Sequence, residues 1–138
     1  MDLRTTFDRL TDAWNAHDVD GFVAPFAEDC ELTLPGFDAK GRQGLRDFWA
    51  ENEKAFPDNQ VVVHRTYVDG DTVVEESLFR GTNTGPLGNP DGTETPPTGA
   101  RIEVPFAAVY TVRGDEVVRV RMYWDQLDML AQLGLLPE

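Results

Sequence analysis

The stretch that most narrows what this chain can fold into is VVRVRMYWDQLDMLAQLG, residues 117–134. Val118, Val120 and Met122 alternate with Arg119, Arg121 and Tyr123, the period of two expected for a strand with one buried face. At Asp125 the period changes. Leu127, Leu130 and Leu133 recur at helical spacing, Gly134 supplies a stop and Pro137 follows, so the spacing predicts a short helix from Gln126 to Leu133. Asp125 therefore stands at a strand-to-helix junction. It has two readings there: an N-cap whose carboxylate accepts from the free N–H groups of the first turn, or a carboxylate projecting from a strand end into a pocket to move a proton.

At 138 residues the chain is long enough for one domain with a real core and too short for two, so residues 1–138 are read as one domain. Twelve basic residues stand against 25 acidic ones, a net charge of −13, so a phosphate backbone or an anionic bilayer would be repelled. Neither nucleic acid nor a membrane is an expected partner. Cys30 is a lone cysteine with no disulfide mate, and in AEDCELTLP it reads as a small apolar strand residue. The two histidines, His17 and His64, are far apart and have no ligand-spaced neighbour, so no metal is expected. With no long apolar run and no basic-plus-apolar leader, a cytoplasmic location is expected.

Leu3, Phe7, Leu10, Trp14 and His17 recur as one face of an amphipathic helix over residues 3–17. Asp18 or Asp20 can cap a second short helix carrying Phe22, Val23 and Phe26. A strand follows over Cys30–Leu34, broken by Pro35–Gly36, then a loop and a third helix over residues 42–55 with Leu45, Phe48 and Trp49 inward. The second half alternates: residues 61–68 and 72–81 form a hairpin about Asp69–Gly70–Asp71, and residues 101–112 and 117–124 another about Arg113–Gly114–Asp115. Helices first and antiparallel strands after make an α+β fold. Between the hairpins lies TNTGPLGNPDGTETPPTG, residues 82–99, a stretch of the kind that serves as a lid or stays disordered.

MYWDQLDMLAQLGLLP resembles the C-terminal signature of the SnoaL-like polyketide cyclases, a branch of the NTF2-like, ketosteroid isomerase-like superfamily, and WNAHDVDGFVAPFAEDCELTLPG resembles that superfamily's N-terminal pattern. The resemblance implies an NTF2-like cone: three N-terminal helices packed on a strongly curved antiparallel sheet, with a short C-terminal helix. It also implies that Asp125 is a general acid/base in an aldol-type ring closure that needs no cofactor. RGTNTGPLGNP resembles a family segment in which many members carry His where Asn83 stands; Asn83 could orient a ligand carbonyl but could not shuttle a proton. The isomerase branch's helix-1 tyrosine and first-turn aspartate fall on Leu10 and near Leu34, so that chemistry is disfavoured.

One cavity is expected between the first helix, the sheet and the 82–99 loop, with Trp14 and Tyr123 or Trp124 at its wall. Its ligand-binding candidates are Trp14, Phe26, Trp49, His64, Asn83, Phe106, Tyr110 and Tyr123; each aromatic can equally be plain core, and a lone strand histidine such as His64 is often structural. The expected partner is a small hydrophobic or carbonyl-bearing molecule. The alternative is a module that binds such a molecule, or dimerises, without chemistry. An outer sheet face carrying Tyr67, Phe79 or Trp124 leads to the expectation of a homodimer.

Overall fold

The computed structural model describes residues 2–136; Pro137, read as a helix stop, lies outside them. Helix α1 (Leu3–Asn15) starts at Asp2, whose carboxylate accepts the Arg4 N–H, and buries Phe7, Leu10 and Trp14. It ends two residues before the sequence pattern suggests. His17 takes φ +59°, a conformation that stops a helix, and its imidazole lies outside against Glu53 at 2.6 Å. Helix α2 (Val19–Val23) is capped by Asp18. Phe26 is not on it: Pro25 has no N–H to continue the helix, and Phe26 opens strand β1 (Phe26–Leu34).

Pro35–Gly36, expected only to break the chain, closes a hairpin to β2 (Phe37–Lys40), which pairs with β1 from Leu34–Phe37 to Glu31–Lys40. Helix α3 (Gly41–Ala55) follows, then the long hairpin of β3 (Gln60–Asp69) and β4 (Thr72–Thr82). Inside the 82–99 stretch, β5 (Leu87–Gly88) and β6 (Glu94–Thr95) form a small ladder of their own. A second long hairpin, β7 (Arg101–Arg113) and β8 (Glu116–Trp124), leads into α4 (Gln126–Leu133). The main sheet has the order β2-β1-β8-β7-β4-β3; all its pairs are antiparallel except β1 with β8. None of the described helices is long and apolar enough to cross a membrane.

The helices cover one face of this sheet. Phe7, Phe26 and Leu45 are fully buried in the main core, and Phe56, Ile102 and Leu133 centre a smaller one beneath α4; each such side chain contributes about 1.5–3 kcal/mol of burial. Cys30 is 1% exposed, in the packing role its neighbours suggest. The inner face is a grid of cross-strand neighbours. Val120, Tyr110 and Val73 form one row; Met122, Ala108, Glu75 and Thr66 form the next; Trp124, Phe106, Ser77 and Val63 form a third. Phe79 and Trp124, expected among the outer aromatics, therefore face inward, whereas Tyr67 is exposed.

One irregularity decides what this grid contains. The β3–β4 register shifts between Val63 and Arg65, a bulge at His64. Strict alternation would put Arg65 opposite Glu75, but the extra residue moves every later side chain to the other face. Thr66 comes opposite Glu75 and Arg65 opposite Glu76, on the outside.

Candidate functional site

Between the helices and the inner face of the sheet lies a cavity of about 360 Å³. Leu10 and Trp14 of α1, Phe48 of α3, Phe106 and Tyr110 of β7 and Met122 of β8 form much of its wall, and Leu87–Gly88 of β5 and Met129 of α4 close it from the side. Trp14 is held in place: its indole N–H donates to Asn59 Oδ1 at 2.8 Å, and Asn59 in turn donates to the Phe56 carbonyl at 2.9 Å. Phe22 meets Trp14 edge-on at 4.9 Å, and Phe7 packs on the Tyr110 ring at 4.5 Å. The wall is therefore rigid and mostly apolar, suited to a flat or aliphatic ligand.

Several of its polar side chains are already engaged. Asn52 donates to the Phe48 carbonyl at 2.9 Å, Gln126 accepts from the Trp124 indole at 2.7 Å, and Glu51 faces Lys54 at 3.2 Å. Glu75, Ser77 and Tyr110 are different in kind, since they rise from adjacent strands onto one patch of the inner face. Burial pushes the Glu75 carboxyl up from 4.5 to about 7, with the Asp8 carboxylate adding to the rise. The Thr66 hydroxyl pulls the other way, from close by but without a hydrogen bond of good geometry. Burial, and next the neighbouring Glu75, raises the Tyr110 phenol well above its ordinary value, so it stays a neutral donor. No group of three or more His, Cys, Asp or Glu among the described residues is placed to hold a metal ion.

The family model described as the SnoaL-like domain matches residues 7–120. The chain belongs to the SnoaL-like domain family. No curated protein matches the sequence. Among solved structures, a candidate SnoaL-like polyketide cyclase from Jannaschia sp. CCS1 is 23% identical with a TM-score of 0.84, covering 97% of this chain and 92% of that one. IdmH, a candidate polyketide cyclase from Streptomyces antibioticus, is 28% identical with a TM-score of 0.77, covering 95% and 97%. A Catenulispora acidiphila protein of ketosteroid isomerase-like fold, crystallised with trimethylamine, is 22% identical with a TM-score of 0.78, covering 95% and 93%. The NTF2-like fold implied by the sequence resemblance is the one observed.

Within this SnoaL-like domain, Trp14, Phe26, Phe106 and Tyr110 line the cavity. His64 and Tyr123 do not; they flank a shallow groove on the outer face, and Tyr123 is 54% exposed. The bulge and the strand alternation send them there. Trp49 is half-buried against the core behind the cavity wall, and its indole N–H finds no partner among the described residues. Asn83 is fully buried, and its amide is spent on the protein. It donates to the carbonyls of Ala55 and Gly85 at 3.1 and 2.9 Å, and accepts from the Thr98 N–H and hydroxyl at 2.8 and 2.9 Å. It pins the ends of the 82–99 stretch to α3, assisted by Gly85, where any Cβ would collide with the Lys54 carbonyl.

Asp125 caps α4: its carboxylate accepts the Asp128 N–H at 3.0 Å, and the residue is exposed at the cavity rim between the lining residues Trp124 and Gln126. Asp125→Asn should keep the cap and leave the melting temperature nearly unchanged, whereas Asp125→Ala should cost about 1 kcal/mol in denaturant unfolding. Equal losses in the two variants would refute the capping role.

Sequence reasoning passed over Glu75. The signal was present, since Val73, Glu75, Ser77 and Phe79 share one strand face, and an acid flanked by apolar residues on a face that turns inward is a candidate site residue. Which face turns inward is a property of the assembled sheet.

Proposed function

We propose that this SnoaL-like domain is a cofactor-independent enzyme of the cyclase or lyase type that takes a small, largely apolar, carbonyl-bearing molecule into its cavity. The observation that carries the reading is the cavity itself, about 360 Å³ and mostly apolar, with a carboxyl and two hydroxyls gathered on one patch of wall. Such a site selects by apolar area and orients by a few polar contacts. Structural neighbours that are candidate polyketide cyclases support the substrate class, and a neighbour crystallised with trimethylamine supports small-molecule binding. A carbon beside a carbonyl gives up its proton to a carboxylate when the resulting enolate is delocalised over the substrate and its oxygen is met by donors, so the chemistry rests on one well-placed acid/base. Two carboxyls compete for that role, Asp125 at the rim and Glu75 on the inner face.

The test begins with a neutral fluorescent arylamine, N-phenyl-1-naphthylamine. Wild type should bind it with a blue shift, and Met122→Trp, which fills the cavity from β8, should weaken binding at least about tenfold, the loss of some 1.4 kcal/mol of contact. Equal affinity in the two proteins would place the ligand elsewhere. Turnover is then sought across a panel of polycyclic ketones and β-dicarbonyl esters with no cofactor added.

A further inference from the structure

We infer that Glu75 is the catalytic acid/base of this cavity, taking a proton from a carbon next to a carbonyl while the Tyr110 hydroxyl meets the carbonyl oxygen; the inference rests on the carbonyl-ligand reading above. Its basis is placement. Glu75 lies on β4 in the middle of the inner face, opposite Ala108 on one side and Thr66 on the other. Ala108 carries only a methyl group and is buried in the core, while Glu75 itself and Met122, on either side of it, line the cavity. Tyr110, opposite Val73, and Phe106, opposite Ser77, stand two residues to either side of Ala108.

A buried carboxyl is costly unless it is paired or hydrogen-bonded, and the two buried asparagines obey that rule. Asn59 and Asn83 are both satisfied by protein partners. Glu75, 3% exposed, has no such set and lines the cavity instead. The bulge at His64 also turns Arg65 to the outside, where it lies over the Tyr67 ring. The groups facing Glu75 are Asp8 from α1, Thr66 from β3 and Tyr110 from β7; Arg4 of α1 is engaged on the Thr66 carbonyl at 3.2 Å. The inner positions of β8 at this level are Val120 and Met122, which carry no charge. A carboxyl in these surroundings holds its proton to about neutral pH, so both protonation states needed for a relay are populated there.

The step balances without a co-reactant. The carboxylate takes the proton of the carbon next to the carbonyl; the C–H electron pair moves into the carbonyl and makes an enolate. In a substrate with a second carbonyl, the enolate carbon attacks that carbonyl carbon, one C–C bond forms, and the new alkoxide takes the proton back from Glu75. The product is an isomer of the substrate, and Glu75 ends as it began. Asp125 is less well placed for this, since its carboxylate is exposed and already accepts the Asp128 N–H.

The experiment uses 2-tetralone, a neutral bicyclic ketone, and 2-naphthol, the aromatic likeness of its enol. Deuterium uptake by 2-tetralone in D₂O is followed by mass spectrometry, and 2-naphthol binding by fluorescence. Wild type should accelerate uptake over buffer, with a rate that rises through one ionisation near pH 7. Glu75→Gln should bind 2-naphthol within about threefold of wild type and lose about 10²- to 10⁴-fold in uptake. Glu75→Asp, which keeps the carboxyl but withdraws it by one methylene, should retain part of the rate and the pH profile, so loss of chemistry is told apart from loss of fold. Tyr110→Phe should lower the rate while leaving that profile in place. Uptake that survives Glu75→Gln, or that falls only in Asp125→Asn, overturns the inference. Wild-type binding of 2-naphthol with no uptake above buffer also overturns it and leaves a binding module. No binding of 2-naphthol by wild type would instead overturn the reading of the cavity.

Discussion

Glu75→Gln should make the protein more stable than wild type at pH 8 by about 3 kcal/mol, and no more stable at pH 4. The sign follows from where the proton is held. The folded chain keeps the Glu75 proton up to about pH 7, whereas an ordinary glutamate, as in the unfolded chain, gives it up near 4.5. Between those values the native state binds more protons than the unfolded state, so this group's contribution is fully present below 4.5, falls as pH rises and is gone above 7. Glutamine carries no charge to bury and escapes the loss. Urea unfolding of both proteins at pH 4, 5, 6, 7 and 8 gives the difference directly, because every other acid titrates in both. Stability curves that run parallel across that range would show that Glu75 is not a desolvated carboxyl. A variant that gains stability and loses activity is the behaviour of a site residue maintained against the fold's own preference.

Asn83→Ala should cost about 3 kcal/mol, the largest loss expected from any one side chain of the 82–99 stretch. The Asn83 side chain is fully buried and its amide closes four hydrogen bonds, the one to the Ala55 carbonyl buried and the other three part-buried. The Ala55 carbonyl keeps a second partner in the Gly85 N–H at 3.3 Å, but the Thr98 N–H and the Gly85 carbonyl lose the partner that Asn83 supplied. Each buried polar group left unmatched costs about 1–3 kcal/mol. Leu87 and Gly88 line the cavity from the segment that Asn83 anchors, so arylamine binding should weaken in the same variant. Limited proteolysis, read by mass spectrometry, should cut the variant within residues 84–98 faster than wild type. Unchanged cleavage and an unchanged unfolding midpoint would mean that the segment is held by other contacts, such as the Lys54–Glu94 ion pair at 2.8 Å.

Much of the fold was legible because its signals are local. The apolar spacing of Phe7, Leu10 and Trp14 locates α1; the switch of period at Asp125 locates the β8–α4 junction; the Asp69–Gly70–Asp71 and Arg113–Gly114–Asp115 turns locate the two long hairpins. The aromatic walls were legible in part for the same reason. Trp14, Phe106 and Tyr110 lie on the inward faces of α1 and β7. Short elements were harder. Strand β2 and the β5–β6 ladder carry too few residues to establish a period, and they exist because β1 and α3 offer them something to pair with or pack on.

By itself the sequence determined where the long strands and helices run, that Asp125 stands at a strand-to-helix junction and which side chains share a face of β4, because all of these depend on neighbours a few residues away. Tertiary structure alone decided which face turns inward and how one strand registers against the next. A single extra residue at His64 exchanges Arg65 for Thr66 opposite Glu75 and turns Arg65 to the outside. Asn83, whose motif suggested a ligand contact, became a staple because the ends of its loop meet at α3. Register and loop closure join residues far apart in the chain, and a period read along one segment carries no information about its phase relative to another.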